Sequence, residues 1–234
     1  MIDINDLGFA PDNTRITFVG PPSLRLLVCG INRSGTKYVA AVLNAAGVLC
    51  GHEAVFRTNN RIDWGAGNIE SSGFAIPWLG SLHRSTEIVH VVRDPLKWLV
   101  SWRKKRVTIS TAQRYLSFDY HTKVAHMGID IAALGLWVDW NMRIETHASW
   151  RFRVESIDDE TVRRMCIAAG CDALPHAITE AVLTVPRNIN SATDGLTSGY
   201  TIESSATNWA DLPQCREVTK ASELAARYGY SYDK

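Results

Sequence analysis

Residues 30–37 read GINRSGTK and combine two glycines, two cations and two hydroxyl side chains in eight positions. An apolar run over 24–28 precedes this segment, and apolar residues at helical spacing follow it over 38–46. The pattern predicts a strand, a glycine loop and a helix. Because glycine turns without a clash of a Cβ atom, several amides can converge at the helix N-terminus and bind a phosphate. These amides belong to Ser34, Gly35, Thr36 and Lys37.

The loop differs from a Walker A loop, GxxxxGK[ST], in its last residues. Thr36 and Lys37 come in the reverse order, and Arg33 adds a cation inside the loop. In a Walker nucleotide hydrolase the hydroxyl after the lysine binds Mg²⁺, and that order is lost here. A loop without this ligand suits sulfuryl transfer, because a sulfonate carries less negative charge than a γ-phosphate and cationic side chains can cover it.

A second segment with the same organisation begins at residue 88. Residues 88–92 are rich in β-branched side chains, which is typical of a buried parallel strand, and Arg93 follows them. Asp94 is a good N-cap and Pro95 a good first residue for a helix. Ser101 follows Arg93 by eight residues, which places its hydroxyl about two turns up that helix.

Together the two segments resemble the phosphate motifs of sulfotransferases that use 3′-phosphoadenosine-5′-phosphosulfate (PAPS). GINRSGTKYVAAVL resembles the loop that binds the 5′-phosphosulfate, and VHVVRDPLKWLVSW resembles the motif that binds the 3′-phosphate. The resemblance implies an α/β, three-layer P-loop fold in which a central parallel sheet carries helices on both faces. It implies one domain over 1–234, PAPS as donor, 3′-phosphoadenosine-5′-phosphate (PAP) as product, and no metal.

The resemblance also implies roles for individual residues. Arg33 stands where the cytosolic members carry a lysine that touches the bridging oxygen of the donor, and an arginine there can stabilise the leaving phosphate. Lys37 can supply a mobile cation, while Arg93 and Ser101 bind the 3′-phosphate. A late polar segment, 184–207, corresponds to the part that covers the nucleotide. The predicted donor-binding residues are Arg33, Ser34, Gly35, Thr36, Lys37, Arg93, Ser101, Arg187, Asn190 and Ser191.

A sulfuryl acceptor needs a general base within hydrogen-bond reach. His52 and Glu53 follow a short strand predicted over 47–51, and ligands of open parallel sheets bind beyond the carboxyl ends of the strands. Members of the heparan type place a glutamate base after the second strand, so Glu53 is the predicted base, and His52 orients Glu53 or the acceptor. Cytosolic members use a histidine near the third strand. His83 or His90 would take that role here, although His90 is more typical of a core histidine.

Composition excludes several other classes of function. With 234 residues, 46% of them hydrophobic, the chain can form one globular α/β domain. A net charge of +1 provides no field that would attract nucleic acid or a membrane. No signal peptide is recognised, the five cysteines form no CxxC pair, and the longest apolar run, 131–138, is too short to span a bilayer. We expect a cytoplasmic protein that acts on a small-molecule or glycan acceptor.

The remaining segments are predicted from periodicity and capping residues. Either Ser71 or Ser72 could cap a helix that reaches Leu82, and further helices are expected over 131–148, 158–170, 174–183 and 218–228. A strand is expected around Phe152. The residues expected to line an acceptor pocket are Arg57, Arg61, Trp64, Phe118 and Tyr120.

Two other functions stay open at this point. A P-loop kinase for a small molecule would need a hydroxyl directly after the loop lysine and an aspartate at a strand end to hold Mg²⁺. Tyr38 follows Lys37, and the nearby Asp94 resembles a helix cap. A nucleotide-binding module without catalytic activity would need the phosphate motifs but not Glu53.

Overall fold

The computed structural model describes residues 24–57, 61–105, 129–187 and 208–231. Within these ranges the protein has an α/β structure built on a five-stranded sheet. The strands are β1 (Leu26–Cys29), β2 (Gly51–His52), β3 (Ile69–Ser72), β4 (Glu87–Val92) and β5 (Trp150–Arg153). The helices are α1 (Thr36–Ala45), α2 (Pro95–Lys105), α3 (Ile129–Glu145), α4 (Asp159–Ala169), α5 (Pro175–Thr184) and α6 (Arg216–Arg227).

All neighbouring strands of this sheet are parallel, in the order β2-β3-β1-β4-β5. β1 lies in the centre, with β3 on one side and β4 on the other. Because the strands are parallel, their carboxyl ends meet at one edge of the sheet. The glycine loop after β1, the turn after β2 and the corner after β4 therefore lie along that edge.

Alternate residues of β1 belong to two separate hydrophobic clusters. Leu26 and Val28 pack with residues of α1, α4 and α5. Leu27 and Cys29 pack with residues of α2, α3 and α6. Since strand residues point alternately to opposite faces, β1 is buried on both faces, which explains its continuous apolar sequence. The predicted α/β class with a parallel sheet is confirmed.

Three helix boundaries follow from the capping residues that the sequence displays. An Asp94 carboxylate oxygen accepts hydrogen bonds from the amides of Leu96 and Lys97, at 2.9 and 3.1 Å, before α2. Asp158 accepts one from the Thr161 amide at 2.8 Å, which caps α4. Gly170 ends α4 in the left-handed conformation with φ of 68°. These three predictions are confirmed.

The prediction that Ser71 or Ser72 caps a helix is wrong, because both residues lie in β3 between β1 and β2. A 3₁₀ helix over Ile76–Ser81 takes the place of the expected helix. The sequence Ile-Glu-Ser-Ser lacks the apolar alternation of a strand, but tertiary partners bind the Ser71 hydroxyl and one oxygen of Glu70. The Ser71 hydroxyl donates to the Thr36 carbonyl at 2.8 Å. β2 also differs from the strand expected over 47–51, because it covers Gly51–His52 and shares only Gly51 with that range.

Some predicted segments cannot be compared with the structure. The residues Phe118 and Tyr120, and most of the late polar segment, lie outside the described residues. In the part that is described, none of the helices combines the length and the apolar character needed to cross a membrane.

Candidate functional site

Both glycines of the loop after β1 are required by close approach of other elements. A Cβ atom on Gly30 would lie 2.4 Å from the carbonyl oxygen of Val91 in β4. Gly35 has φ of 101°, and a Cβ atom there would lie 2.6 Å from Cγ2 of Val154. The loop is thus held tightly against β4 and against the segment that follows β5.

The amides of this loop are used in two different ways. The Ser34 amide donates to the Ile31 carbonyl at 2.9 Å, so it closes the turn and does not join the predicted group of anion-binding amides. α1 begins at Thr36, directly after Gly35, and no side chain of the described residues caps it. First-turn amides of a helix have no partner within the helix. The amides of Thr36 and Lys37 are therefore placed to bind an anion, with support from the helix dipole.

The two predicted phosphate motifs meet in the structure. Nη1 of Arg93 donates to the carbonyl oxygen of Arg33 at 2.9 Å. Nε of Arg33 donates to Oγ of Ser101 at 3.0 Å. Because β1 and β4 are neighbours, these contacts join the corner after β1 to the corner after β4. Arg33, Arg93 and Ser101 form one basic surface, which we call the basic corner.

The Arg93 side chain is half-buried, and its burial lowers the pKa of the guanidinium. The carboxylates of Glu155 and Asp94 act in the opposite direction. An arginine keeps its charge at any accessible pH even after such a shift. The basic corner therefore has a cation whose charge does not depend on pH near neutrality.

His52 ends β2 and Glu53 follows it, and β3 and β1 separate β2 from β4 in the sheet. Nε2 of His52 lies 3.3 Å from Oγ1 of Thr36 and 3.8 Å from Oε1 of Glu53. Burial lowers the pKa of His52 to about 4, and Lys37 acts in the same direction. The imidazole is thus neutral at pH 7, so its contact with Glu53 is not an ion pair.

Glu53 has the electrostatic environment of a proton acceptor. Burial raises the pKa of its carboxyl to about 7, while the charges of Arg33 and Lys37 lower it. A general base works best when its pKa lies near the working pH. The loop cations Arg33 and Lys37 thus lie near enough to Glu53 to affect its ionisation.

Arg33 and Glu53 share an uncommon backbone conformation. They are the two non-glycine residues with positive φ in the described part of the chain, at 77° and 56°. A left-handed residue with a long side chain costs about 1–2 kcal/mol and persists where its surroundings hold it. Such residues cluster at functional sites, and here both were predicted from the sequence to act in catalysis.

One acidic residue of this region, Glu70 in β3, was not predicted from the sequence. Its side chain is fully buried, and Oε1 accepts a hydrogen bond from the Ala54 amide at 3.0 Å. Burial raises the pKa of Glu70 to about 7, the amides of Ala54, Val55 and Phe56 lower it, and Glu53 raises it further. Glu70 is 17 positions from Glu53 in the sequence, so only the pairing of β2 with β3 shows that they are neighbours.

Three predicted donor-binding residues belong to the late polar segment, namely Arg187, Asn190 and Ser191. The exposed Arg187 donates from Nη1 to the carbonyl oxygen of Glu155. A carboxylate oxygen of Glu155 in turn accepts from the Asp94 amide at 3.0 Å, which anchors Arg187 beside the basic corner. Asn190 and Ser191 lie outside the described residues.

The two alternative histidines lie away from the loop cations. His90 is fully buried, and its Nε2 lies 2.8 Å from Oδ1 of Asn141, so the prediction of a core histidine is confirmed. His83 is exposed, contacts Ser85, and precedes β4. It therefore lies at the amino end of that strand, opposite the edge that carries the site.

The site thus combines the basic corner, the uncapped start of α1 and a partly desolvated carboxylate. No group of three or more His, Cys, Asp or Glu side chains that could hold a metal ion occurs within the described ranges. The chain matches no protein-family model, and no curated protein matches it in sequence.

Proposed function

We propose that this protein is a PAPS-dependent sulfotransferase with the three-layer P-loop fold. It would transfer a sulfuryl group to a hydroxyl or an amine of a small molecule or a glycan. The observation that carries this proposal is the contact between the two phosphate motifs. Arg33 of the first motif accepts a hydrogen bond from Arg93 and donates one to Ser101, both of the second motif. A nucleotide with phosphate groups at both its 3′ and 5′ positions needs two anion sites in one cleft, and the two adjoining corners offer them.

The residues present fit this donor at both of its ends. The start of α1 lacks a side-chain cap, and its amides at Thr36 and Lys37 suit the 5′-phosphosulfate. The guanidinium of Arg93 and the hydroxyl of Ser101 suit the 3′-phosphate, since charge-assisted hydrogen bonds from arginine are strong and directional. The two hydrophobic clusters on opposite faces of β1 support the three-layer arrangement.

PAPS supplies a sulfuryl group that is activated by its bond to the 5′-phosphate. Glu53 takes the proton of the acceptor while the new bond to sulfur forms and the bond from sulfur to the phosphate oxygen breaks. Arg33 and Lys37 stabilise the negative charge that develops on that oxygen. His52 is neutral, contacts Thr36 and Glu53, and orients the base or the acceptor.

The same geometry argues against a kinase that uses Mg²⁺. The residue after Lys37 is a buried tyrosine, which is not the Ser or Thr hydroxyl that binds Mg²⁺ in a Walker loop. The Asp94 carboxylate caps α2 through the amides of Leu96 and Lys97. Neither of these groups is placed as a metal ligand.

A thermal-shift experiment tests the proposal directly. PAP in the presence of EDTA should raise the Tm by about 5–10 °C at a hundredfold excess over its Kd. Stabilisation by ATP only when Mg²⁺ is present would support the kinase, and stabilisation by neither would overturn the proposal. A protein that binds PAP yet transfers no sulfuryl group to a panel of phenols, alcohols and amino sugars would instead be a nucleotide-binding module.

A further inference from the structure

Glu70 is a carboxylate in an unusual place. It lies in β3, opposite Leu27 of β1 and opposite Gly51 of β2, and its side chain is 0% exposed. A glutamate is almost never fully buried without a partner that compensates for its lost hydration. The partners of Glu70 should therefore indicate why it is there.

One of its oxygens holds the turn that carries Glu53. Oε1 of Glu70 accepts from the Ala54 amide at 3.0 Å, and the amides of Val55 and Phe56 also act on the carboxylate. The amide of Ala54 belongs to the peptide group that follows Glu53, so its direction is set by ψ of Glu53. Fixing this amide therefore helps to fix the left-handed conformation of Glu53, with φ of 56°.

The other oxygen, Oε2, lies close to the backbone of β2. A Cβ atom on Gly51 would be 2.3 Å from Oε2, so the carboxylate fits only because residue 51 has no side chain. Oε2 has no hydrogen-bond partner among the described residues. The turn amides and the close approach of Gly51 therefore hold a carboxylate at a buried position, although a neutral side chain there would avoid the desolvation.

The charge of Glu53 raises the pKa of Glu70, and the interaction between two charges is mutual. The charged or titratable groups that face Glu53 are His52, Arg33, Lys37 and Glu70, while those that face Glu70 are Glu53 and Cys50. Two neighbouring carboxylates in a desolvated site resist ionising together. A negative charge at Glu70 therefore favours the protonated form of Glu53.

We propose that Glu70 is a positioning residue whose carboxylate holds the turn after β2 that carries Glu53, which we call the Glu53 turn, and places a second acidic group beside Glu53. The inference rests on the proposed role of Glu53 in sulfuryl transfer. It predicts two separable effects, one on the geometry of the turn and one on the protonation of Glu53. Glu70→Ala removes the whole carboxylate group, whereas Glu70→Gln removes only its charge. A comparison of the two variants therefore separates the two effects.

The experiment uses NMR on the full chain with ¹³C-labelled glutamate carboxyls, in which Glu53→Gln assigns the Glu53 signal. Thr86→Val is the matched control. It removes a hydrogen bond of 2.8 Å from a buried hydroxyl to the Leu24 carbonyl, at the amino end of β4, far from the turn. The measurements are hydrogen exchange at the Ala54 amide, the titration midpoint of Glu53, and PAP binding by calorimetry.

In Glu70→Ala the Ala54 amide should exchange about fivefold to tenfold faster than in the wild type. Glu70→Gln should restore protection, because the glutamine oxygen can accept the same bond. In Glu70→Gln the Glu53 midpoint should fall by about one half to one pH unit, because a neighbouring negative charge is lost. Thr86→Val should change neither quantity.

Unchanged exchange at Ala54 in Glu70→Ala, or an unchanged Glu53 midpoint in Glu70→Gln, would overturn the proposal. Equal changes in Thr86→Val would also overturn it, since they would show general loosening of the sheet. If Glu70→Ala does not fold, the Glu53 midpoint in Glu70→Gln decides alone. A wild-type protein that does not bind PAP would overturn the proposed function, and the two NMR measurements would still decide the effect of Glu70 on Glu53.

Discussion

The basic corner and the Glu53 turn lie at the same end of the sheet, but their charges respond differently to burial and to pH. In the basic corner, Arg93 and Arg33 are ordered by hydrogen bonds to a carbonyl and a hydroxyl, and their charges survive burial. At the Glu53 turn, burial raises the pKa values of Glu53 and Glu70 to about 7. The first region is suited to bind an anion at any pH, and the second is suited to exchange a proton near neutral pH.

The two regions also differ in how far apart their residues lie in the sequence. The glycine loop and the start of α1 are consecutive residues, so their spacing alone predicts an anion site. Glu70 and Ala54 are 16 residues apart and meet only because β2 pairs with β3. A binding site can thus be recognised from local spacing, while the environment of a base depends on the fold.

The largest expected effect separates catalysis from binding. Glu53→Gln should lower the rate of sulfuryl transfer by about 10²- to 10⁴-fold, because the neutral amide cannot accept a proton. PAP affinity should stay within about twofold, since the basic corner is unchanged. Single-turnover transfer from PAPS and calorimetry with PAP measure the two quantities. Glu87→Gln, at the amino end of β4, is the control, and equal losses in both variants would contradict the assignment.

The next effect should appear in binding alone. Arg93→Ala should weaken PAP binding by about 30- to 100-fold, which corresponds to the loss of a charge-assisted hydrogen bond to a phosphate. Lys97→Ala removes an exposed cation from the same helix, α2, and should change the affinity by less than about threefold. Similar affinities of the two variants in calorimetry would exclude Arg93 from the anion site.

A third effect concerns the glycine loop that supports both regions. Gly35→Ala should lower the free energy of unfolding by about 2 kcal/mol or more, because φ is 101° and the new Cβ would lie 2.6 Å from Val154. Gly47→Ala provides the matched control, since Gly47 has φ of 87° but no atom within 4 Å of its Cβ position. Urea unfolding should show about 1 kcal/mol for Gly47→Ala. Equal losses would show that contact with Val154 contributes nothing.

The last effect is a pH dependence of stability. A carboxyl whose pKa is raised from 4.5 to about 7 on folding binds more protons in the folded state, so its contribution to stability is full below about pH 4.5 and is lost as the pH rises through 7. The Glu70→Gln variant has no ionisable group at this position, so it does not lose this stability as the pH rises. Its Tm relative to the wild type should therefore rise by about 5–10 °C between pH 5 and pH 8, which corresponds to about 2.5 kcal/mol. A constant difference would show that Glu70 does not titrate in this range.

Much of the fold could be predicted because its signals are local. The loop between Gly30 and Gly35, the cap at Asp94 and the start of α4 after Asp158 are set by neighbouring residues, and the structure has the strands and helices where these signals indicate. The buried state of His90 also followed from its place inside an apolar strand.

The parts that could not be predicted depend on distant contacts. β3 has the sequence Ile-Glu-Ser-Ser, in which Ser71 binds Thr36 of α1 and one oxygen of Glu70 binds the turn after β2. The contact of Arg187 with Glu155 likewise joins residues 32 positions apart. No spacing rule within a single segment reveals such partners, so Glu70 was missed although Glu53 was found.

The most direct test of the account compares PAP with adenosine 5′-monophosphate, which lacks the 3′-phosphate, by calorimetry in the presence of EDTA. If the corners after β1 and β4 bind the two ends of one nucleotide, the wild type should bind PAP at least about 30-fold more tightly, and Arg93→Ala should abolish most of that difference. Equal affinity of the wild type for the two nucleotides would contradict the central claim.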